Sequence, residues 1–235
     1  MDAALRSPNH LLAGLSTATF ELLRPFLGTV ELVQESILVA AGDRLTKAYF
    51  PHSGIISLVV SLADGQMVEV AMIGRDSLFG SSAALDGQIS LTDAVVLLPG
   101  IASVLDLDRL RIASGQCPDF QTLLIRHEQA LFAQAQQTAA CNAAHAVDMR
   151  LARSLLRMHD LSEESILPIT QNALAQMIGV QRNSASTCAH ALQEAGVIKY
   201  SRGKIQITDL AGLKNLTCEC YNAVAVQYKR LLHHD

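Results

Sequence analysis

From Asp119 to His145 the chain runs about 27 residues without a glycine or a proline. A stretch of that kind predicts one continuous helix, and at about 1.5 Å per residue it would extend ~40 Å, long for a helix buried in a single small domain. Phe120, Leu124, His127, Leu131, Gln134 and Thr138, with Cys141 and His145 beyond them, recur at alternating four- and three-residue steps. That is the seam of a two-stranded coiled coil, apolar in its first half and polar in its second, so the spacing predicts a homodimer joined along this helix. The alternative is a long amphipathic helix laid on its own domain.

Before the helix the texture is β-rich. Val30–Val33, Ile37–Ala40, Tyr49–Pro51, Ile55–Ser61, Met67–Met72, Ala94–Leu98 and Ile101–Leu105 are candidate strands, separated by turn signals such as Ala41-Gly42-Asp43, Asp64-Gly65 and Pro99-Gly100. Short strands at this spacing predict a small antiparallel sandwich or barrel, with Asp64-Gly65 as a hairpin turn. Short helices are expected over Asn9–Leu27, with Ser16 as a cap. The small, polar stretch Phe79–Gly87 interrupts the strand pattern and reads as one helical turn inserted into the sheet structure.

After the helix the pattern becomes helical again, first over Val147–His159, with Leu161–Ser165 as a linker. From Thr170 to Gly196 the spacing is that of a helix-turn-helix. Thr170 can cap a first helix holding Leu174, Ala175 and Ile178, and Gly179 permits the positive φ of a sharp turn. A second helix begins near Arg182, with Ala185, Cys188, Ala189 and Leu192 inward. Gln181, Arg182, Asn183, Ser186, Thr187 and His190 are left outward, a face almost free of acid. Arginine can donate twice to guanine, Asn and Gln can pair with adenine, and Ser or Thr can meet a base or hold phosphate. Gln181, Arg182, Asn183, Ser186 and Thr187 are therefore the candidate base contacts. Two β-runs then flank the basic turn Ser201-Arg202-Gly203, a wing. Thr170, Ser184, His190, Lys199, Arg202 and Lys204 are the candidate phosphate contacts. Charge distribution agrees: residues 1–146 hold 8 Lys and Arg against 14 Asp and Glu, residues 147–235 hold 10 against 8.

This order of helical entry, sheet region, long helix and winged helix-turn-helix resembles the cyclic-AMP receptor/FNR family of bacterial regulators across nearly the whole chain. Ala41-Gly42-Asp43, Tyr49-Phe50 with Ser53-Gly54-Ile55, and Phe79-Gly80 resemble the family's roll motifs. Gln181-Arg182-Asn183-Ser184 resembles the start of its recognition helix, with Asn183 where an acid is usual. The resemblance implies an α+β chain: a β-roll of the cyclic-nucleotide-binding jelly-roll type over 1–118, a dimerisation helix over 119–146 and a winged helix-turn-helix over 147–235. It implies a transcription regulator that binds a two-fold symmetric operator in double-stranded DNA as a homodimer, with RNA polymerase a candidate further partner. A roll acting through a protein partner and a cyclic-nucleotide-responsive regulator are the alternative functions.

The effector is where the chain departs from that pattern. Cyclic-nucleotide-binding relatives supply a glutamate for the ribose from the inserted turn and an arginine for the cyclic phosphate shortly after. Here those positions are Ser81 and Leu91 or Thr92, and Phe79 to Val96 contains no Lys, Arg or His. A buried phosphodiester without a countercharge is costly. The candidate effector pocket is Phe79, Gly80, Ser81, Ser82, Leu91 and Thr92, and neither cyclic AMP nor cyclic GMP is expected to bind in it.

No resident cofactor and no metal site are expected. Cys218-Glu219-Cys220, even with His233-His234 nearby, reads as buried thiols on a terminal helix. The N-terminal cysteine cluster of the FNR branch is absent, and haem ligation through His52, His127 or His145 has no supporting pattern. Phosphate-binding glycine motifs, a nucleophile elbow and a two-histidine metal signature are all missing, so no enzyme is expected. Five cysteines without framework spacing, no secretory signal and no apolar run near ~20 residues predict a cytoplasmic protein without a membrane span.

Overall fold

The computed structural model describes residues 7–85 and 87–232. The polypeptide opens with two short helices, α1 (His10–Ala13) and α2 (Thr17–Leu23), each stopped from unravelling by a side-chain cap. Asn9 accepts from the amides of Leu11 and Leu12, and Ser16 from that of Thr19. The Asn9 amide also donates to the carbonyls of Pro51 and Ser77 at 3.0 and 2.8 Å, which pins the entry segment to the sheets.

All seven expected strands form, as β1 (Gly28–Leu32), β2 (Ile37–Val39), β3 (Lys47–Pro51), β4 (Ile55–Ser61), β5 (Met67–Ile73), β6 (Asp93–Leu98) and β7 (Gly100–Asp106). They make two antiparallel sheets, in the orders β1-β7-β3 and β2-β6-β4-β5. The β4–β5 hairpin turns at Asp64-Gly65, where Gly65 has φ +83° and the Asp64 carboxylate accepts from the Gln66 amide at 3.0 Å. Leu32, Ala48, Phe50, Ile56, Ile73, Ala94, Val96 and Leu105 fill the roll core. The inserted turn is a 3-10 helix over Ser81–Leu85. Gly80 before it has φ +96°, and a Cβ there would lie 2.9 Å from the Lys47 carbonyl, so the turn sits directly on β3. A helix with no earlier counterpart, α3 (Leu107–Gln116), buries Leu107, Leu110 and Ala113 on the roll.

The long helix α4 spans Pro118–Ala144. Its predicted seam is not a free face, and that expectation needs correction. Phe120, Leu124, His127, Gln134 and Thr138 are all buried within the protomer, and Leu131 is half-buried. Phe120 and Leu124 enter the roll core, and the Gln134 amide both accepts from the Met72 amide and donates to Tyr228. The four-three stripe is the face α4 lays on its own roll and C-terminal helix. A different stripe, Ile125, Gln129, Phe132, Gln136, Ala139 and Ala143, faces outward at the same spacing, with Phe132 65% exposed.

The C-terminal part comprises α5 (Val147–Ser162), β8 (Ile166–Leu167), α6 (Gln171–Ile178), α7 (Arg182–Glu194), β9 (Ile198–Ser201), β10 (Lys204–Ile207), α8 (Leu210–Asn215) and α9 (Cys220–Leu232). Its core is continuous with the roll: Ile55, Met72, Leu97 and Leu98 pack in the same cluster as Leu155, Leu174, Ile178 and Ile205. Polar struts cross the same boundary. Arg157 pairs with Asp76 at 2.8 Å and Arg75 with Glu163 at 2.6 Å, while the Gln34 amide donates to the Pro168 carbonyl at 2.6 Å. The C-terminal domain is thus docked on its own roll. No helix among the described residues is long and apolar enough to cross a membrane.

Candidate nucleic-acid interface and effector pocket

Helix α6 begins where the Thr170 hydroxyl accepts from the Ala173 amide at 3.2 Å. It ends at Gly179, whose φ of +60° lets the chain reverse while the Val180 amide still reaches the Ala175 carbonyl. A Cβ on Gly179 would stand 3.0 Å from Val68 of β5, so the turn is also held close against the roll. After it, α7 buries Ala185, Ala189 and Leu192 inward, with Cys188 half-buried beside them.

The opposite face of α7 is open. Gln181, Arg182, Asn183, Ser184, Thr187 and His190 are exposed and Ser186 is half-buried. Ser186 and Thr187 each donate to a carbonyl one turn back, those of Arg182 and Asn183, both at 3.1 Å, which leaves their oxygens as acceptors. Arg182 donates through Nε to Gln171 at 2.8 Å, a brace from α6 that holds the guanidinium at the first turn of α7. Glu194, the helix's own acid, lies at its far end beside His190.

The wing stands next to this face. Strands β9 and β10 pair from Ser201↔Lys204 to Ile198↔Ile207, and β8 completes a three-stranded sheet. Arg202 and Gly203 turn the corner with φ +48° and +74°, the mirror-image turn that matches strand twist. The Tyr200 amide donates to Gln193 at 2.8 Å and fixes the wing to the end of α7. Lys199, Arg202 and Lys204 are exposed. Thr170 is half-buried, unlike the wing cations. Its hydroxyl caps α6, and its side chain lines a cavity of about 280 Å³ between α6 and the roll.

That cavity holds a group no sequence pattern singled out. Glu69 on β5 is fully buried there, and Ser57 donates to it at 2.6 Å. Burial pushes its carboxyl up to about 8, against a weaker opposing effect from the Ser57 hydrogen bond.

In the expected effector pocket the residues do not all meet. Phe79 and Ser81 are buried, whereas Leu91 is 90% exposed and cannot line an enclosed site with them. Ser81 is engaged by α4: its hydroxyl meets His127 Nδ1 at 2.9 Å and donates to Glu128. His127 Nε2 accepts from the Leu78 amide at 3.2 Å and lies 2.6 Å from Ser77 Oγ. Since the amide can only donate, the ring proton is on Nδ1 and points at Ser81. Burial holds this imidazole down at about 3 and raises the Glu128 carboxyl. At the inserted turn, where the resemblance implies a ribose contact, this chain has a neutral histidine relay ending on Glu128. The guanidinium of Arg111 touches the outside of the turn, at the Ala83 carbonyl.

Cys218 and Cys220 are buried, as expected for thiols at a terminal helix, and Cys141 and His145 from the end of α4 converge on them. His233 and His234 lie outside the described residues. His52 sits elsewhere, with Nε2 2.7 Å from Ser103 Oγ.

Comparison with known proteins matches residues 29–113 to a cyclic nucleotide-binding domain and residues 149–216 to a Crp-like helix-turn-helix domain. The chain is 23% identical over 216 residues to the global nitrogen regulator of Synechocystis sp., covering 88% of this chain and 95% of that one. It is 24% identical over 199 residues to the transcriptional regulator SdrP of Thermus thermophilus, covering 78% and 95%. Among solved structures, FixK2 from Bradyrhizobium japonicum superposes with a TM-score of 0.70 at 15% identity, over 82% of this chain and 98% of that one.

Proposed function

Because the chain belongs to the CRP/FNR family of transcription regulators, we propose that it binds a two-fold symmetric DNA operator as a homodimer, in the cytoplasm, with the roll as its regulatory domain. The observation that carries this reading is the joint surface of α7 and the wing. Gln181, Arg182, Asn183 and Thr187 project from the first two turns of a helix whose other face is buried, and three exposed cations flank them on the wing. Such a helix fits a major groove, and the wing cations fit the adjoining phosphates. Selection of bound sequences from random double-stranded DNA, read by gel shift at two salt concentrations, tests it. A paired, inverted half-site is expected; recovery of unpaired or random sequence would overturn the reading.

Dimerisation is assigned to the outward stripe of α4. Ile125 and Phe132 are one heptad apart and exposed, and Gln129, Gln136, Ala139 and Ala143 continue the line with small or polar side chains. Two such stripes can pack about a two-fold axis, with the aromatic and aliphatic residues nearest the roll. The roll itself is not assigned to cyclic AMP or cyclic GMP. The supporting facts are that Ser81, at the position expected to meet the ribose, is already held by His127 and Glu128, and that Leu91, at a position expected to carry the phosphate-binding cation, is an exposed leucine.

A further inference from the structure

Four soft or borderline ligands converge where α4 gives way to the DNA-binding domain. Cys141 and His145 lie one turn apart at the end of α4, and Cys218 and Cys220 flank Glu219 at the start of α9. One ligand atom from each falls within 4.8 Å of all the others, and all three cysteines are buried. Cys141 Sγ is 3.5 Å from Cys218 Sγ, and Cys220 Sγ is 3.6 Å from His145 Nδ1. A tetrahedral ion with sulfur at ~2.3 Å and nitrogen at ~2.0–2.1 Å holds its donors roughly 3.5–3.8 Å apart; the Cys141–Cys218 and Cys220–His145 separations already match it, and the remaining pairs need to close from no more than 4.8 Å.

The surroundings also fit. The outer nitrogen of His145, Nε2, lies 3.2 Å from the Glu219 carboxylate, so Nδ1 is the nitrogen turned toward the thiols. A carboxylate behind the histidine is the usual support of a metal-bound imidazole. Gln137 donates to Cys220 Sγ at 3.0 Å, a polar contact that a thiolate sulfur accepts better than a thiol. Arg153, 3.4 Å from the Thr138 hydroxyl one turn before Cys141, places a cation near the residual negative charge.

We propose that Cys141, His145, Cys218 and Cys220 bind one four-coordinate zinc-class ion that clamps the DNA-binding domain to the end of α4. Three thiolates and an imidazole select zinc over magnesium, calcium or manganese. With four protein ligands the site is closed, so its role is structural rather than catalytic. An iron–sulfur cluster would spread its cysteine sulfurs around several ions, farther apart than these. The ion would bridge the break at His145-Ala146, where the chain leaves α4, and so restrain the angle at which α7 is presented.

The test uses the full chain, reduced, stripped with a chelator and titrated with Co2+ alone, then Zn2+ alone. One equivalent of Co2+ should give the visible bands of a tetrahedral site with thiolate charge transfer, and Zn2+ should erase them. Zn2+ should also shield Cys141, Cys218 and Cys220 from alkylation while Cys117 and Cys188 react at unchanged rates, a readout that needs no mutation. Glu219→Gln keeps all four ligands and should weaken Zn2+ about tenfold or more; Cys141→Ser and Cys220→Ser should weaken it further, and Cys117→Ser not at all. No uptake, a Co2+ spectrum without thiolate bands, or undiminished affinity in both Cys141→Ser and Cys220→Ser would overturn the proposal.

Discussion

Arg182 shows how a single side chain can be prepared for its task. Its Nε bond to Gln171 holds the guanidinium at the start of α7, with the outer nitrogens left to meet a base edge. Loss of one bidentate contact removes ~1–3 kcal/mol from the correct base pair and little from the others. Arg182→Ala should therefore lose preference at one position per half-site while keeping non-specific affinity, as read by repeated selection; an unchanged preferred site would exclude a base contact. Two buried groups make the pH dependence of stability similarly specific. Glu69, raised from 4.5 to about 8, keeps its proton in the folded state and loses it on unfolding. Its contribution is complete below pH 4.5 and drains away as pH rises to about 8. His127, lowered from 6.5 to about 3, does the reverse, and its contribution is lost as pH falls from 6.5 to about 3. The two oppose each other between pH 4.5 and 6.5, so stability should plateau there and fall on both sides, by at most about 1.4 kcal/mol per pH unit. Glu69→Gln should flatten the alkaline decline in thermal melts, leaving the smaller part due to Glu128; an identical slope in wild type and variant would refute the assignment.

At the scale of elements, α4 has two stripes with different duties. Phe132→Glu should yield a folded monomer by light scattering with weakened operator binding. Leu124→Glu should instead unfold the roll, since it places a charge in a fully packed core. A folded monomer from Leu124→Glu would restore the inner stripe as the dimer contact. The wing should act as a unit of charge: Arg202→Ala and Lys204→Ala should weaken all sequences alike and flatten the salt dependence. Most elements were legible in the sequence because their signals are local. Turn glycines, the β-rich runs of β4 and β5, the Thr170 cap and the Gly179 reversal each act within a few residues. The seam was misread because four-three spacing marks a buried stripe without saying whose surface buries it. Docking of α6 on β5 left no trace either, since Met67, Val68 and Gln176 look like ordinary strand and helix residues. The thiol cluster joins residues 77 positions apart; the sequence showed the Cys218-Glu219-Cys220 pair but not that Cys141 and His145 would meet it.

At the scale of the whole molecule, the roll and the DNA-binding domain share one hydrophobic core. Purified protein should give no calorimetric signal with cyclic AMP or cyclic GMP, because Ser81 is already held by His127 and Glu128 and no Lys, Arg or His lies between Phe79 and Val96 to offset the phosphate. Micromolar binding abolished by Ser81→Asp would show the relay to be compatible with a phosphate after all. The docking has a consequence for the DNA as well. Asp76–Arg157, Arg75–Glu163 and the shared core tie each α7 to its own roll, and the α4 stripe would tie the two rolls together. A pair of recognition helices mounted this way forms a ruler with little torsional give. Inserting one base pair between half-sites turns one of them by roughly 34–36° about the duplex axis. A reader on a loose tether would follow that rotation; this one must twist the DNA or let go of one half-site. Operators lengthened by a single base pair should therefore lose affinity steeply, and those lengthened by five should bind as isolated half-sites, so that helical phase, as much as base sequence, decides which promoters the protein can occupy.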